Sequence, residues 1–111
     1  MNQSLDAGTQ TVNFASRVNQ DLTAAPVIEG KTWTVPAAPG SLSVLLAGQT
    51  DATQNGVYDV SKVAGVITWT RRLLTAPDCQ IQVAVGAGQG FWAIPGTPSY
   101  GTDPVVVRRL V

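Results

Sequence analysis

The sequence predicts a small all-β domain, and three observations support that prediction. Short runs alternate apolar and polar residues, which is the spacing of a strand, and turn-forming residues interrupt them about every ten positions. No stretch keeps helical spacing for long. Only 13% of the residues are charged, while Thr, Ser, Gln, Val and Gly are abundant, about half the usual charged share. We therefore expect a single β-sandwich or jelly-roll-like barrel.

The length sets the domain organisation. A chain of 111 residues is one domain by size, long enough for a modest core. Residues 1–9 are small and polar and are predicted to form a flexible N-terminal arm that becomes ordered on binding a partner. Residues 10–111 are predicted to form the single β domain.

In the first half of the chain, segments that alternate apolar and polar residues are separated by turns. Asn19–Ala25 is expected to be a turn or a short helical piece with Asp21 as its cap. Pro36–Gly40 is expected to be a connector between strands, because its prolines remove backbone donors. The predicted strands and hairpins are Gln10–Val18, a tight hairpin over Val27–Val35 with Glu29-Gly30 at its tip, and Ser41–Ala47.

The strongest local signal is the stretch Val44–Val60, which we interpret as a β-hairpin with a structured tip. Its loop ends in Asn55-Gly56, a pair that tolerates the positive φ of a chain reversal. Thr50, Asp51 and Asn55 can each hydrogen-bond to nearby backbone N–H groups and stiffen the loop.

The second half alternates most cleanly over Cys79–Val85. Gly86–Gly90 lacks the Lys-Ser/Thr pair and the helix of a phosphate-binding loop, so a flexible β-turn is the favoured interpretation. Pro95–Pro104 is expected to be an irregular loop. The other predicted strands are Val66–Leu73, Phe91–Ile94 and Val105–Val111.

The stretch around Val44–Val60 also carries a family resemblance. Val44, Leu45, Gln49, Thr50, Asn55, Gly56 and Tyr58, followed by Trp69, Thr70 and Arg71, form a pattern that resembles a β-module of tailed-phage fibre proteins. The fibre modules usually have Lys-Asp where this chain has Ala47-Gly48. The whole chain resembles the decoration proteins, also called cement or staple proteins, of tailed-phage capsids.

The resemblance implies a function. A decoration protein of this kind is a virion component, made in the host bacterial cytoplasm, that binds the major capsid protein on the capsid exterior. It joins neighbouring capsomers, stabilises the shell against the pressure of packaged DNA, and is expected to act as a homodimer. The alternative hypothesis is a carbohydrate-binding or receptor-binding module of a tail fibre or head fibre, with a host glycan as ligand.

Several kinds of chemistry are not expected from this composition. The chain has no histidine and a formal net charge of zero, which argues against Ser-His or Cys-His catalysis, most zinc sites and nucleic-acid binding. Most of its seven acidic residues fall in predicted turns or in the arm, so we expect no enzyme activity, cofactor or metal site. Asp51 with Asn55 could offer oxygens to calcium, but turn stabilisation is the favoured interpretation. The single cysteine, Cys79, suits a reducing compartment, and neither a signal peptide nor a membrane span is visible.

Aromatic and arginine residues are the candidates for partner contact. Trp33, Trp69 and Trp92 are expected to be core residues or, alternatively, a platform for sugar rings. Of the three tryptophans, Trp92 is predicted to be the most exposed. Its neighbour Phe91 faces the opposite side of the same strand, so the two rings cannot both point inward. The pairs Arg71-Arg72 and Arg108-Arg109 are each expected to place one guanidinium on either face of a strand. One arginine of each pair is expected to lie along the core edge. The other is expected to be solvated or to bind carboxylates of a partner protein. The predicted partner-binding residues are Leu5, Phe91, Trp92, Arg72 and Arg108.

Overall fold

A computed structural model describes residues 9–74 and 77–111 of the chain. The described residues form ten short strands and one 3-10 turn, Ala52–Gln54. The strands are β1 (Gln10–Val12), β2 (Phe14–Ser16), β3 (Val27–Ile28), β4 (Lys31–Thr32), β5 (Leu42–Leu46), β6 (Gly56–Val63), β7 (Val66–Arg71), β8 (Cys79–Val83), β9 (Gly90–Ile94) and β10 (Arg108–Arg109).

These strands make two four-stranded sheets and a small hairpin. Sheet A has the order β1-β8-β9-β10, sheet B has the order β2-β5-β6-β7, and β3 pairs with β4. The N-terminal run crosses between the sheets at Asn13, because β1 pairs in parallel with β8 while β2 pairs in parallel with β5. All other strand pairs of the two sheets are antiparallel.

At β5 and the first half of β6, sheet B is covered on both faces. Leu45 and Val57 pack into a core shared with sheet A, while Val44 and Val60 pack into a second core with residues of the segment before β5, such as Val35. All four side chains from β5 and β6 are fully buried. This explains why β5 reads as a nearly continuous apolar run, since a strand buried on both faces needs no polar side.

The all-β prediction is confirmed, and the two packed sheets give the sandwich character. A jelly-roll strand order is not confirmed, since two of the pairings are parallel. The Glu29-Gly30 tip and the Ala64-Gly65 turn both have positive φ at their two residues, as a tight hairpin requires. Asn19–Ala25 contains a turn, in which Ala24 N–H donates to the Asp21 carbonyl at 3.1 Å.

Some strand predictions were too long. Gln10–Val18 is two strands, and in Val105–Val111 only Arg108–Arg109 is a regular strand. Burial alternates only in the first part of this segment: Val105 is buried, Val106 is exposed and Val107 is partly buried, whereas residues 108–111 are all exposed. Of the predicted N-terminal arm, residues 1–8 lie outside the described residues.

Candidate partner-binding surface

The residues of the Val44–Val60 pattern form a buried polar network at one end of the sandwich. The Asn55 Oδ1 atom accepts a hydrogen bond from Gln49 N–H at 2.9 Å, and its Nδ2 atom donates to the Val105 carbonyl at 3.1 Å. The Gln49 side chain in turn accepts from Gln20 N–H at 2.7 Å and donates to the Gln20 carbonyl at 3.0 Å. Asn55, Gln49 and Gln20 are all buried. The network therefore ties the hairpin loop to both the N-terminal and the C-terminal part of the domain.

Asn55 does not have the turn conformation predicted for it. Its φ is −67°, in extended backbone, and only Gly56 has a positive φ, +139°. The loop reverses through the 3-10 turn, which Asp51 caps by accepting from Thr53 N–H at 3.0 Å. Asn55 is instead a buried polar link, because its amide satisfies two backbone groups from distant parts of the chain.

The aromatic and basic members of the pattern surround Tyr58. The Tyr58 hydroxyl donates to the Gln54 carbonyl at 2.7 Å and accepts from Arg71 Nε at 2.9 Å. The Trp69 ring packs edge-on against the Tyr58 ring, with 5.8 Å between centroids. The Arg71 guanidinium also lies 5.5 Å from the Tyr100 ring centroid, and burial raises the pKa of the Tyr100 hydroxyl. These side chains hold the fold together and present little free surface to a partner.

Asp51 and Asn55 direct their side-chain oxygens to different partners within the loop. The Asp51 carboxylate accepts from both the backbone N–H and the hydroxyl of Thr53, and these hydrogen bonds lower the pKa of that carboxyl. Asn55 directs its side chain into the network instead. Within residues 9–74 and 77–111, no group of three or more Cys, Asp or Glu side chains is placed to hold a metal ion.

No other layer covers the outer face of sheet A in the part of the chain that the structure describes. Cys79, Ile81 and Val83 point into the core, so the residues between them on β8 point out. The register places Gln82 beside Phe91 on β9, and Phe91 exchanges backbone hydrogen bonds with Leu110 and Val111. The outward side chains of this face are Thr11, Gln80, Gln82, Phe91, Ala93, Arg108 and Leu110.

This outer face combines apolar groups with very little charge. Phe91 is 40% exposed and Leu110 is 49% exposed, although both are large apolar side chains. Val106, two residues before Arg108, is 57% exposed. Arg108 carries the only formal charge among the outward side chains of this face. A surface of this kind loses little hydration free energy when a partner covers it.

Two of the predicted partner-binding residues lie on the outer face. Phe91 and Arg108 are both exposed there, on the neighbouring strands β9 and β10. Leu110 was not predicted, although it follows Arg108 at the strand period of two and therefore faces the same side. Leu5 lies outside the described residues.

The prediction that Trp92 is exposed is wrong. Its side chain is 1% exposed and belongs to the core between the sheets, with its indole N–H donating to the Gly88 carbonyl at 2.8 Å. Phe91 and Trp92 do face opposite sides of the strand, as expected, but Phe91 is the residue that points outward. Trp92 therefore cannot contact a partner in the folded domain.

Arg72 has its guanidinium bonded within the chain. Its Nε and Nη2 atoms donate to the two carboxylate oxygens of Asp59, at 2.9 Å and 2.7 Å. Its Nη1 atom donates to the side chain of Gln10 at 3.2 Å. The bidentate contact predicted with a partner's carboxylate is thus made with the protein's own β6, so Arg72 is a poor candidate for partner contact.

The three tryptophans do not form a common platform for a sugar ring. Trp92 lies in the core between the sheets, whereas Trp33 and Trp69 pack against the second core on the far side of sheet B. The Trp33 and Phe14 ring centroids lie 4.5 Å apart with their planes inclined by 39°, and the Trp69 indole N–H donates to the Ala24 carbonyl at 2.8 Å. The interpretation of all three as core or core-edge residues fits this packing.

Comparisons with models of protein families, with curated proteins and with solved structures found no match to this chain. No helix among the described residues is long and apolar enough to cross a membrane.

Proposed function

We propose that this protein is a non-catalytic structural component of a tailed-phage virion. In this proposal it binds the major capsid protein on the outer surface of the shell, joins neighbouring capsomers and stabilises the shell against internal DNA pressure. The observation that carries the proposal is the uncovered outer face of sheet A, where Phe91 and Leu110 are exposed on adjacent strands. The family resemblance described above supports the same role.

The chemistry of the outer face suits adhesion to a protein. The centres of protein interfaces are depleted of charge and enriched in aromatic side chains and arginine. The outer face has one aromatic ring, Phe91, one arginine, Arg108, and glutamine and threonine side chains around them. Glutamine amides can hydrogen-bond to a partner without the desolvation cost of a buried charge.

Binding only to the assembled lattice would stabilise the shell by mass action. A protein that binds the assembled form and not the free subunit shifts the equilibrium towards assembly. Because the sites repeat over the shell, each copy needs only a modest interface. In the same proposal, a dimer would give each unit two attachment points and raise the effective concentration at the second site.

Charge substitutions on the outer face test this proposal. We expect Phe91→Asp to reduce binding to purified capsids by about tenfold or more, because a carboxylate would be desolvated at the centre of the interface. The matched control is Val66→Asp, which places the same charge at a side chain of sheet B that is 64% exposed. Binding is measured by co-sedimentation of each folded variant with capsids that lack the endogenous protein.

The outcomes separate clearly. Loss of binding by Phe91→Asp with normal binding by Val66→Asp supports the outer face as the attachment surface. If Phe91→Asp binds the capsid as well as Val66→Asp does, the outer face is not the attachment surface. Failure of the unsubstituted protein to bind the capsid at all would reject the proposed function.

A further inference from the structure

A cleft of about 330 Å³ lies on the inner side of sheet A, away from the outer face. It is lined by the end of β2, by β3 and the Glu29 turn after it, by the glycine-rich turn before β9, and by Trp92 and Arg109. We call it the arginine cleft, after Arg17 and Arg109, which both line it. None of its lining side chains belongs to the outer face of sheet A.

The glycine-rich turn is a fixed wall of the arginine cleft. Arg109 donates to the carbonyls of Ala87 and Gln89, at 3.2 Å and 2.6 Å. Glu29 accepts from Ala87 N–H at 2.7 Å. A Cβ atom at Gly88 would lie 2.7 Å from the Ala15 Cβ atom, so glycine is required for this close approach. The turn is therefore held in place before any ligand arrives.

Arg17 supplies the free recognition group of the cleft. Its guanidinium lies 4.9 Å from the centroid of the buried Trp92 ring, a cation–π contact that orients it. No hydrogen bond from this guanidinium to another described residue is present. The N–H fork of a guanidinium matches the two oxygens of a carboxylate, so Arg17 offers a group that can recognise one.

The charge and the size of the arginine cleft restrict the kind of ligand that it can bind. Arg17 and Arg109 carry positive charge and Glu29 carries negative charge, so the lining favours a monoanion over a dianionic phosphate. The second carboxylate oxygen of Glu29 is free to accept a hydrogen bond from a hydroxyl group. Val18 and Val27, which are 64% and 43% exposed, give the cleft an apolar side. The volume is near the lower limit for small-molecule sites.

We propose that the arginine cleft binds a carboxylate-bearing monosaccharide unit, such as a hexuronic acid. The sugar carboxylate pairs with the Arg17 fork, a ring hydroxyl donates to Glu29, and the ring's C–H face packs on Val18 and Val27. This proposal is independent of capsid attachment, because it rests on side chains of a different surface.

Titration with three probes tests the arginine cleft. The probes are glucuronate, glucose as its neutral counterpart, and acetate as a bare carboxylate, each followed by NMR chemical shifts of the Trp92 indole N–H. We expect glucuronate to bind saturably and the other two to bind at least about tenfold more weakly, because each lacks one set of contacts. Arg17→Gln is expected to weaken glucuronate binding about tenfold or more. The control, Lys62→Gln, removes one positive charge at an exposed side chain outside the cleft and leaves binding unchanged.

A second variant covers the case in which Arg17→Gln does not fold. Arg17→Lys keeps the charge over Trp92 but lacks the bidentate fork, so it is expected to weaken glucuronate binding as well. Three results would each overturn the proposal: no saturable binding of glucuronate, equal binding of glucose or acetate, or unchanged binding by the folded Arg17 variant.

Discussion

Replacing Trp92 with Ala is expected to lower the free energy of unfolding by about 3–5 kcal/mol, as large aromatic-to-alanine changes in protein cores do. Trp92 is 1% exposed at the centre of the core between the sheets. Its removal leaves a cavity there and an unpaired carbonyl at Gly88, to which the indole N–H donates. Because domains of this size are stable by only about 5–15 kcal/mol, the variant is expected to be marginally folded.

Phe91→Ala is the matched control for this prediction. It removes the adjacent aromatic ring, which is 40% exposed on the outer face, and is expected to change the free energy of unfolding by no more than about 1 kcal/mol. Urea denaturation of both variants, followed by circular dichroism, gives the comparison. Similar losses for Trp92→Ala and Phe91→Ala would contradict the assignment of one ring to the core and the other to the surface.

Asn55→Ala is expected to cost about 2–6 kcal/mol, because it leaves two buried backbone groups without partners, at about 1–3 kcal/mol each. These groups are the N–H of Gln49 and the carbonyl of Val105. The Val105 contact joins the hairpin loop to the C-terminal segment, so hydrogen exchange is expected to increase in both parts of the chain. Urea denaturation and amide exchange measure the two effects.

Asn19→Ala is the control for the network. The Asn19 side chain also accepts a backbone hydrogen bond, from Thr50 N–H at 2.8 Å, but at an exposed position. Water can replace that bond, so a loss within about 1 kcal/mol is expected. If the two asparagine substitutions cost the same, Asn55 would not have the structural role assigned to it.

The strand pattern was largely predictable because it depends on local spacing. The Cys79–Val85 run predicted β8, and the tight hairpin over Val27–Val35 predicted the Glu29-Gly30 turn. The division of the N-terminal run at Asn13 was not predictable in this way. Asn13 forms hydrogen bonds with Ser43, and that pairing exists only once two distant strands meet.

The orientation of Trp92 contained a local signal that the sequence argument missed. Trp92 and Ile94 have the same parity on β9, and both are buried, whereas Phe91 and Ala93 share the other side. Two large apolar residues of one parity favour that side as the inner one. The role of Asn55 had no comparable signal, because its partner Val105 is 50 residues away and pairs with it only in the folded chain.

The arginine pairs illustrate how tertiary contacts decide the function of a charged residue. The expectation that the two members of each pair face opposite ways agrees with the structure for Arg108 and Arg109, since Arg108 is on the outer face and Arg109 binds the glycine-rich turn. Arg72 could not be distinguished from Arg108 by sequence. Its ion pair with Asp59 depends on the register of the β6–β7 hairpin.

Electron cryomicroscopy of tailed-phage capsids incubated with this protein tests the proposed capsid binding most directly. The account predicts density for this domain at joints between capsomers on the outer shell, with Phe91, Arg108 and Leu110 facing the capsid protein. Absence of the domain from the shell, or attachment through the hairpin of β3 and β4 with the outer face of sheet A left open to solvent, would contradict it.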